Sequence, residues 1–199
     1  MSMMLRAIFI FATAFLVLAA CATPPEPAPK GTIGFSGAPL KLDVASVTID
    51  DRYNPPGKAP NVEQLHEVTP SAVAERWLQT RVVAVGSRGI AVLTIDDARV
   101  VEEKQVVKGG LTGFFGDQID SKLVGTLRGE LVVTTEGANG ARATHKAGVN
   151  AKSEQTILQS ADLNERDRAY FDLMNKLSAE FDRLLTAEVT RTMGAALRP

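Results

Sequence analysis

From residue 122 to residue 134 apolar and polar positions alternate along the chain. Leu123, Gly125, Leu127, Gly129, Leu131 and Val133 share one side, and Lys122, Thr126, Arg128, Glu130 and Thr134 share the other. A period of two sends successive side chains to opposite faces of a strand, so this segment is predicted as a strand with one buried face. Gly137 and the pair Asn139-Gly140 then supply a turn signal. A second alternation runs from about Arg142 to Ser153, with Ala143, Ala147, Val149 and Ala151 interleaved with Thr144, Lys146, Asn150 and Lys152. Upstream, Leu40, Leu42, Val44, Val47 and Ile49 predict a strand with one irregularity near Ala45. Another strand starts at Gly89 or Ile90, passes through Val92 to Ile95, and continues with looser alternation from Ala98 to Val107.

Two stretches change to a spacing of three and four, the helical period. The first opens with Thr69 as N-cap and Pro70 at the first helical position, where a missing N–H costs nothing. Ala74, Leu78, Val82 and Val85 form its stripe, flanked by Val73 and Trp77, and Gly86 is its expected stop. The second runs from about Glu165 to Met193. Tyr170, Leu173, Met174, Leu177, Phe181, Leu184, Leu185, Val189 and Met193 lie on one face, and Arg166, Asp172, Lys176, Glu180, Arg183 and Arg191 lie on the other. Between the first strand and the first helix, Pro55, Pro56, Gly57 and Pro60 require a loop.

The predicted order is therefore β-α-β-β-β-α. Strands joined through a helix should be parallel, and the later three form a meander. The expected fold is α+β, a two-layer sandwich of a four-stranded, mostly antiparallel sheet with two helices on one face. Gly125, Gly129, Ala143 and Ala147 are small enough for close approach of those helices.

The first thirty residues follow a different pattern. Arg6 is the single charge among the first 25 residues and precedes an apolar run from Ala7 to Ala20. That run is about 14 residues, too short for a bilayer span of about 20. A positive start, a short apolar core and small residues at its end describe a secretory signal. The run closes on Leu18-Ala19-Ala20-Cys21, which resembles the lipobox of bacterial lipoproteins. That resemblance implies cleavage before Cys21, diacylation of its thiol and acylation of the new amino group. Two or three acyl chains hold a protein on a bilayer where one alone is reversible.

Ala22 follows Cys21, in place of the aspartate that retains enterobacterial lipoproteins in the inner membrane. By the same resemblance the destination is the inner leaflet of the outer membrane, facing the periplasm, with the inner membrane as the alternative. Pro24, Pro25, Pro27 and Pro29 make the next stretch an extended spacer of about 3.1 Å per residue. The expected organisation is a signal peptide over 1–20, a lipidated cysteine and proline-rich tether over 21–39, and one periplasmic domain over 40–199.

Composition narrows the function classes. Formal net charge is −1, and removal of Arg6 with the signal takes it to −2. No basic block is present, which argues against a nucleic-acid partner. Cys21 is the only cysteine, so the body has no disulfide and is held by packing.

Candidate chemistry is sparse. His66 and His145 are the only two histidines, and neither has metal-ligand spacing around it. Thr-Ile-Asp-Asp occurs twice, ending in Asp50-Asp51 and Asp96-Asp97. Four carboxylates at adjacent strand ends would suit a hard cation, but calcium loops carry denser oxygen spacing, and solvated strand ends are the simpler reading. No metal or cofactor beyond the covalent lipid on Cys21 is expected, and no nucleophile–base pair marks an enzyme. The stretch from Gly109 to Gly116 lacks the Lys-Ser/Thr of a phosphate loop. Within it Phe114 and Phe115 either face a partner or lipid, or fold back over the core.

Lipobox, proline tether and element order together resemble the small bacterial envelope lipoproteins typified by YajG and by the auxiliary lipoproteins of ABC-type transport systems. The resemblance implies a non-enzymatic accessory protein of the cell envelope that engages a membrane-protein partner or lipid. A structural or envelope-maintenance role, such as binding peptidoglycan or an assembly complex, stays open beside it. The lipobox has a direct consequence. Cys21→Ser is expected to remain an uncleaved precursor and to take up no labelled fatty acid in a metabolic labelling experiment.

Overall fold

The computed structural model describes residues 31, 33–105 and 118–199. The strands and α-helices of the described residues are, in chain order, β1 (Leu40–Leu42), β2 (Ser46–Asp51), α1 (Pro70–Arg81), β3 (Val82–Ala84), β4 (Ile90–Lys104), β5 (Ile119–Glu136), β6 (Arg142–Leu158) and α2 (Leu163–Thr192). The main sheet has the order β2-β4-β5-β6. Both β4–β5 and β5–β6 are antiparallel, whereas β2 is parallel to β4. The α+β sandwich and its four-stranded sheet are as the periodicity predicts, and the single parallel pair is the one joined through a helix.

The inner face is the alternation of the central strand. Leu127 and Leu131 on β5 are fully buried, as are Leu93 and Ile95 on β4 and Ala147 and Ala151 on β6. Helix α2 lies over β5 and β6 with Leu173, Met174, Leu177, Phe181, Leu185 and Val189 buried. It starts at a capping box: Asp162 accepts from the Glu165 N–H, and the Glu165 carboxylate accepts from the Asp162 N–H, both at 2.8 Å. Helix α1 is capped by Thr69, whose hydroxyl accepts from Ala72 N–H at 3.2 Å. The helices meet where Trp77 packs edge-on against Phe181, centroids 5.7 Å apart. Beside that contact Asp182 Oδ1 accepts from Trp77 Nε1 at 2.7 Å and from Arg81 Nε at 2.9 Å.

The first strand and first helix differ from expectation, and for one shared reason. The chain breaks at Asp43–Ala45 into β1 and β2, and α1 stops at Arg81. Val82 and Val85 are therefore not on the helical stripe. Val82–Ala84 instead pairs parallel with Leu40–Leu42 as a second, two-stranded sheet. Two consecutive β-branched residues, Val82 and Val83, favour the ladder. Gly86 acts after that ladder: its N–H donates to Val44 O at 3.0 Å, and a Cβ there would lie 2.7 Å from the Val44 nitrogen. It permits close approach of two backbones instead of capping a helix.

The long strand β4 carries a bulge. Ile95 pairs with Gly129 and Asp97 with Arg128, leaving Asp96 as the extra residue. The shift keeps Leu93, Ile95, Ala98 and Val100 all buried. It also explains Gly129, where a Cβ would overlap the Thr94 carbonyl oxygen across the ladder. Gly125 does give the helix room, with its Cβ position 3.1 Å from Leu177 Cδ2 and 3.4 Å from Leu173 Cδ2, and Ala147 is fully buried. Ala143, expected beneath a helix, is exposed. At the N-terminal side the packed chain reaches further than Leu40, because Ile33 is buried and Phe35 packs against the core. The C-terminus closes the small sheet through Asp43 N–H to Ala196 O and Arg198 N–H to Lys41 O, both 2.9 Å.

Leu127 has no exposed surface and sits between Ala98 on β4 and Ala151 on β6. Leu127→Asp places an unpaired charge there, at a cost of several kcal/mol. Loss of the cooperative thermal transition is the expected outcome, read by far-UV circular dichroism.

Candidate functional site

Past the bulge, β2 no longer covers the edge of β4, and the loop after β2 takes over. Glu102 N–H donates to Pro60 O and Val62 N–H to Val100 O, each at 2.9 Å. Between them Val100 N–H is met by a side chain: Glu63 Oε2 accepts from it at 3.0 Å. Glu63 is 2% exposed. Its other oxygen accepts from the Tyr53 hydroxyl at 2.6 Å and from Asn61 Nδ2 at 3.3 Å. A carboxylate can be this deeply placed only when its lone pairs are filled, and here the donors are an amide N–H, a phenol and a carboxamide.

This acceptor shapes its neighbours. Burial, followed by the hydrogen bond to Glu63 and its charge, pushes the Tyr53 hydroxyl well above its ordinary value of 10. Burial and the same carboxylate raise Tyr170 in the same direction. The Tyr170 hydroxyl donates to Val68 O at 3.0 Å, and its ring stacks on His66 with centroids 3.5 Å apart. His66 Nδ1 lies 3.9 Å from Asp167 Oδ1. Burial lowers the His66 imidazole from its usual 6.5 despite the opposing pull of Asp167. The cluster is a polar seam in which Glu63, Tyr53, Asn61, Tyr170 and His66 fasten the 52–69 loop to the sheet edge and to α2. Both oxygens of Glu63 are engaged in that fastening.

A second polar cluster lies where β4 ends and β5 begins. Glu102 Oε1 accepts from Ser121 Oγ at 2.7 Å and Lys104 Nζ at 3.3 Å, and Asp120 Oδ2 accepts from Arg166 at 2.7 Å and Lys104 at 3.2 Å. Burial works to raise Glu102, but the Ser121 and Lys104 hydrogen bonds and the Arg166 charge hold it below the ordinary carboxylate value. The Arg166 and Lys104 hydrogen bonds do the same for Asp120. The network ties the base of the β4–β5 connection to the first turn of α2. Phe114 and Phe115, the sequence candidates for partner contact, and Cys21, the candidate lipidation site, lie outside the described residues.

The two Thr-Ile-Asp-Asp segments do come side by side, since Asp50 pairs with Thr94 and Asp51 with Ile95 in the parallel ladder. Their carboxylates turn to other work. Asp50 accepts from Arg52 Nε at 2.8 Å, Asp51 caps the Tyr53 N–H at 3.0 Å, and Asp97 is 3.4 Å from Arg99. Among the described residues no group of three or more His, Cys, Asp or Glu side chains is placed to hold a metal. His145 stands on β6 opposite Val133, apart from His66. A cleft of about 200 Å³ opens between the end of β6 and the start of α2, lined by Gln155, Ile157, Leu158, Glu165, Ala169 and Asp172. Ligand pockets are commonly about 300–1,000 Å³, so it is small for one.

The polar seam was not legible in the sequence. Glu63 sits in a loop among other polar residues, and nothing in its neighbours marks it as buried.

No family model matches the chain. No curated protein matches it either. Among solved structures, it is similar to the rare lipoprotein B of Shewanella oneidensis at 13% identity, over 73% of this chain and 95% of that one, TM-score 0.38. It is also similar to a minor lipoprotein of Acinetobacter baumannii at 13% identity, covering 79% and 99%, TM-score 0.35. An uncharacterized lipoprotein B of Nitrosomonas europaea matches at 12% identity, covering 81% and 93%, TM-score 0.35. Superpositions this loose transfer no residue roles.

The imidazole of His66 supplies a test of the seam. Its unfolded form takes a proton near pH 6.5, whereas the folded form resists until lower pH. Below about 6.5 the unfolded chain thus binds more protons, and stability falls as pH drops through that window. His66→Phe keeps a ring on Tyr170 and removes the titration. The expected result is a flatter dependence of melting temperature on pH between 6.5 and the lower folded value.

Proposed function

We propose that this chain is a membrane-anchored accessory lipoprotein of the cell envelope, lipidated at Cys21, which acts by contact and not by catalysis. The observation that carries the reading is the apolar run ending in Leu18-Ala19-Ala20-Cys21, with that cysteine the only one in the chain. The polar seam supports it: the buried Glu63 carboxylate is tied to Val100 N–H, Tyr53 and Asn61, and the Tyr170 hydroxyl to Val68 O. Ala22 favours the inner leaflet of the outer membrane. The partner surface is assigned to the glycine-rich connection between β4 and β5, through Phe114 and Phe115, toward an envelope protein or lipid. A transport-auxiliary role belongs to this reading as its finer form.

The test separates anchoring from contact. The parent protein is expected to carry labelled fatty acid and to sediment with outer-membrane density. Phe114→Ser combined with Phe115→Ser should keep both properties and the parent melting temperature, but lose its specific cross-linked product in intact cells. A drop of several degrees in melting temperature would assign the two rings to the core instead, since burial of each phenylalanine contributes about 1.5–3 kcal/mol.

A further inference from the structure

The stretch ahead of β1 lies on the body at four points. A Cβ at Gly31 would fall 2.5 Å from Cζ of Phe171, so the backbone there rests on that ring. Ile33 is buried, and Phe35 packs against the core. Gly37 has φ +111°, and its Cβ position is 2.9 Å from Arg81 Nη1. The same Nη1 donates to Ala38 O at 2.6 Å. Among the described residues no other hydrogen bond holds residues 33–39.

These contacts line up along α2. Phe171 and Asp182, the acceptor of Arg81 Nε, are eleven residues apart on that helix, about three turns and about 17 Å. They therefore share one flank. The seven steps from Gly31 to Ala38 span at most about 23–25 Å, enough to run beside that flank with little slack.

The attachment is closed by Arg81, which is 6% exposed. A guanidinium so deep needs a carboxylate beside it and acceptors for its N–H groups. Asp182 Oδ1 supplies the charge at 2.9 Å and is itself fixed by Trp77 Nε1 at 2.7 Å. Ala38 O supplies a further acceptor, from a stretch that covers the pair from water. Seating of the stretch and burial of the ion pair thus support each other. Glycine at 37 permits both, because a side chain there would meet the guanidinium at a φ that L residues rarely adopt.

We propose that residues 31–39 are a strap, clasped to α2 by Arg81, which fixes the point where the membrane anchor joins the body. The reach of the anchor is then counted from Gly31 and not from Leu40. That is ten residue steps from Cys21 instead of nineteen, or at most about 33–36 Å instead of about 63–68 Å. The strap roughly halves the distance the anchor lets the body stand from the bilayer. This reach rests on the lipoprotein reading, whereas the clasp does not.

Chymotrypsin cuts after phenylalanine, and a cut after Phe35 requires the strap to leave its seat. The full lipidated protein in phosphatidylethanolamine–phosphatidylglycerol vesicles is digested below its melting transition, and mass spectrometry follows body that begins at Ser36. Gly37→Ala sets a Cβ against the guanidinium, and Arg81→Gln removes the clasp. Each should speed this cut at least tenfold. Gly57→Ala alters a glycine that also has positive φ, +68°, but open space around it, and should match the parent. Where Arg81→Gln loses its cooperative thermal transition, Gly37→Ala decides. A parent cut as fast as Gly37→Ala overturns the strap. Equal acceleration in Gly57→Ala assigns the effect to general loss of stability and overturns it too. Protein that does not float with the vesicles but keeps the tenfold difference upholds the clasp, and overturns the lipoprotein reading together with the reach.

Discussion

Helix α2 lies close along β5 and β6 because Gly125 leaves space for Leu173 and Leu177, and the other elements take their places from that contact. Leu127 and Leu131 supply the apolar floor, and Phe181 carries the contact on to Trp77 of α1. With one cysteine, placed ahead of the body, no covalent link supports this arrangement. The burial of large apolar side chains at about 25 cal/mol per Å² of surface is therefore the main stabilising term.

Polar groups decide how the pieces outside that core are attached. Asp182 receives both Trp77 and Arg81, so the helix pair is fixed in register by hydrogen bonds that apolar packing does not specify. Glu63 does the equivalent task on the other side of the molecule. It completes the edge of β4 where the bulge at Asp96 has ended pairing with β2, and Tyr53 and Asn61 fill its second oxygen. A bulge shifts a strand's pairing by one residue, and the loop that follows must supply a donor-matched partner for what is left uncovered. One irregularity in β4 thus dictates both the glycine at 129 and the carboxylate at 63.

Much of the fold is legible in the sequence. Thr69 and Pro70 mark the start of α1, the 3,4-spaced apolar positions of α2 are buried apart from the half-buried Leu184, and the alternation from Leu123 to Val133 is the inner face of β5. The structure departs from the periodicity where local pattern and tertiary pairing disagree. Val82 fits a helical stripe as well as a strand, and only the presence of Leu40–Leu42 alongside settles it in favour of the strand. Ala143 has the size for a helix contact but stands on the part of β6 that the helices leave exposed.

By itself the sequence determined the type of the long elements and which face of each is apolar, because periodicity is a local property of the chain. Tertiary structure alone decided the break at Asp43–Ala45, the small β1–β3 sheet, the burial of Glu63 and the stacking of His66 on Tyr170. Each of these depends on a partner distant in sequence: Leu42 on Ala84, Glu63 on Val100, and His66 on Tyr170. A side chain's own neighbours along the chain carry no record of which distant backbone N–H it will meet, and that is where the legible part of this protein ends.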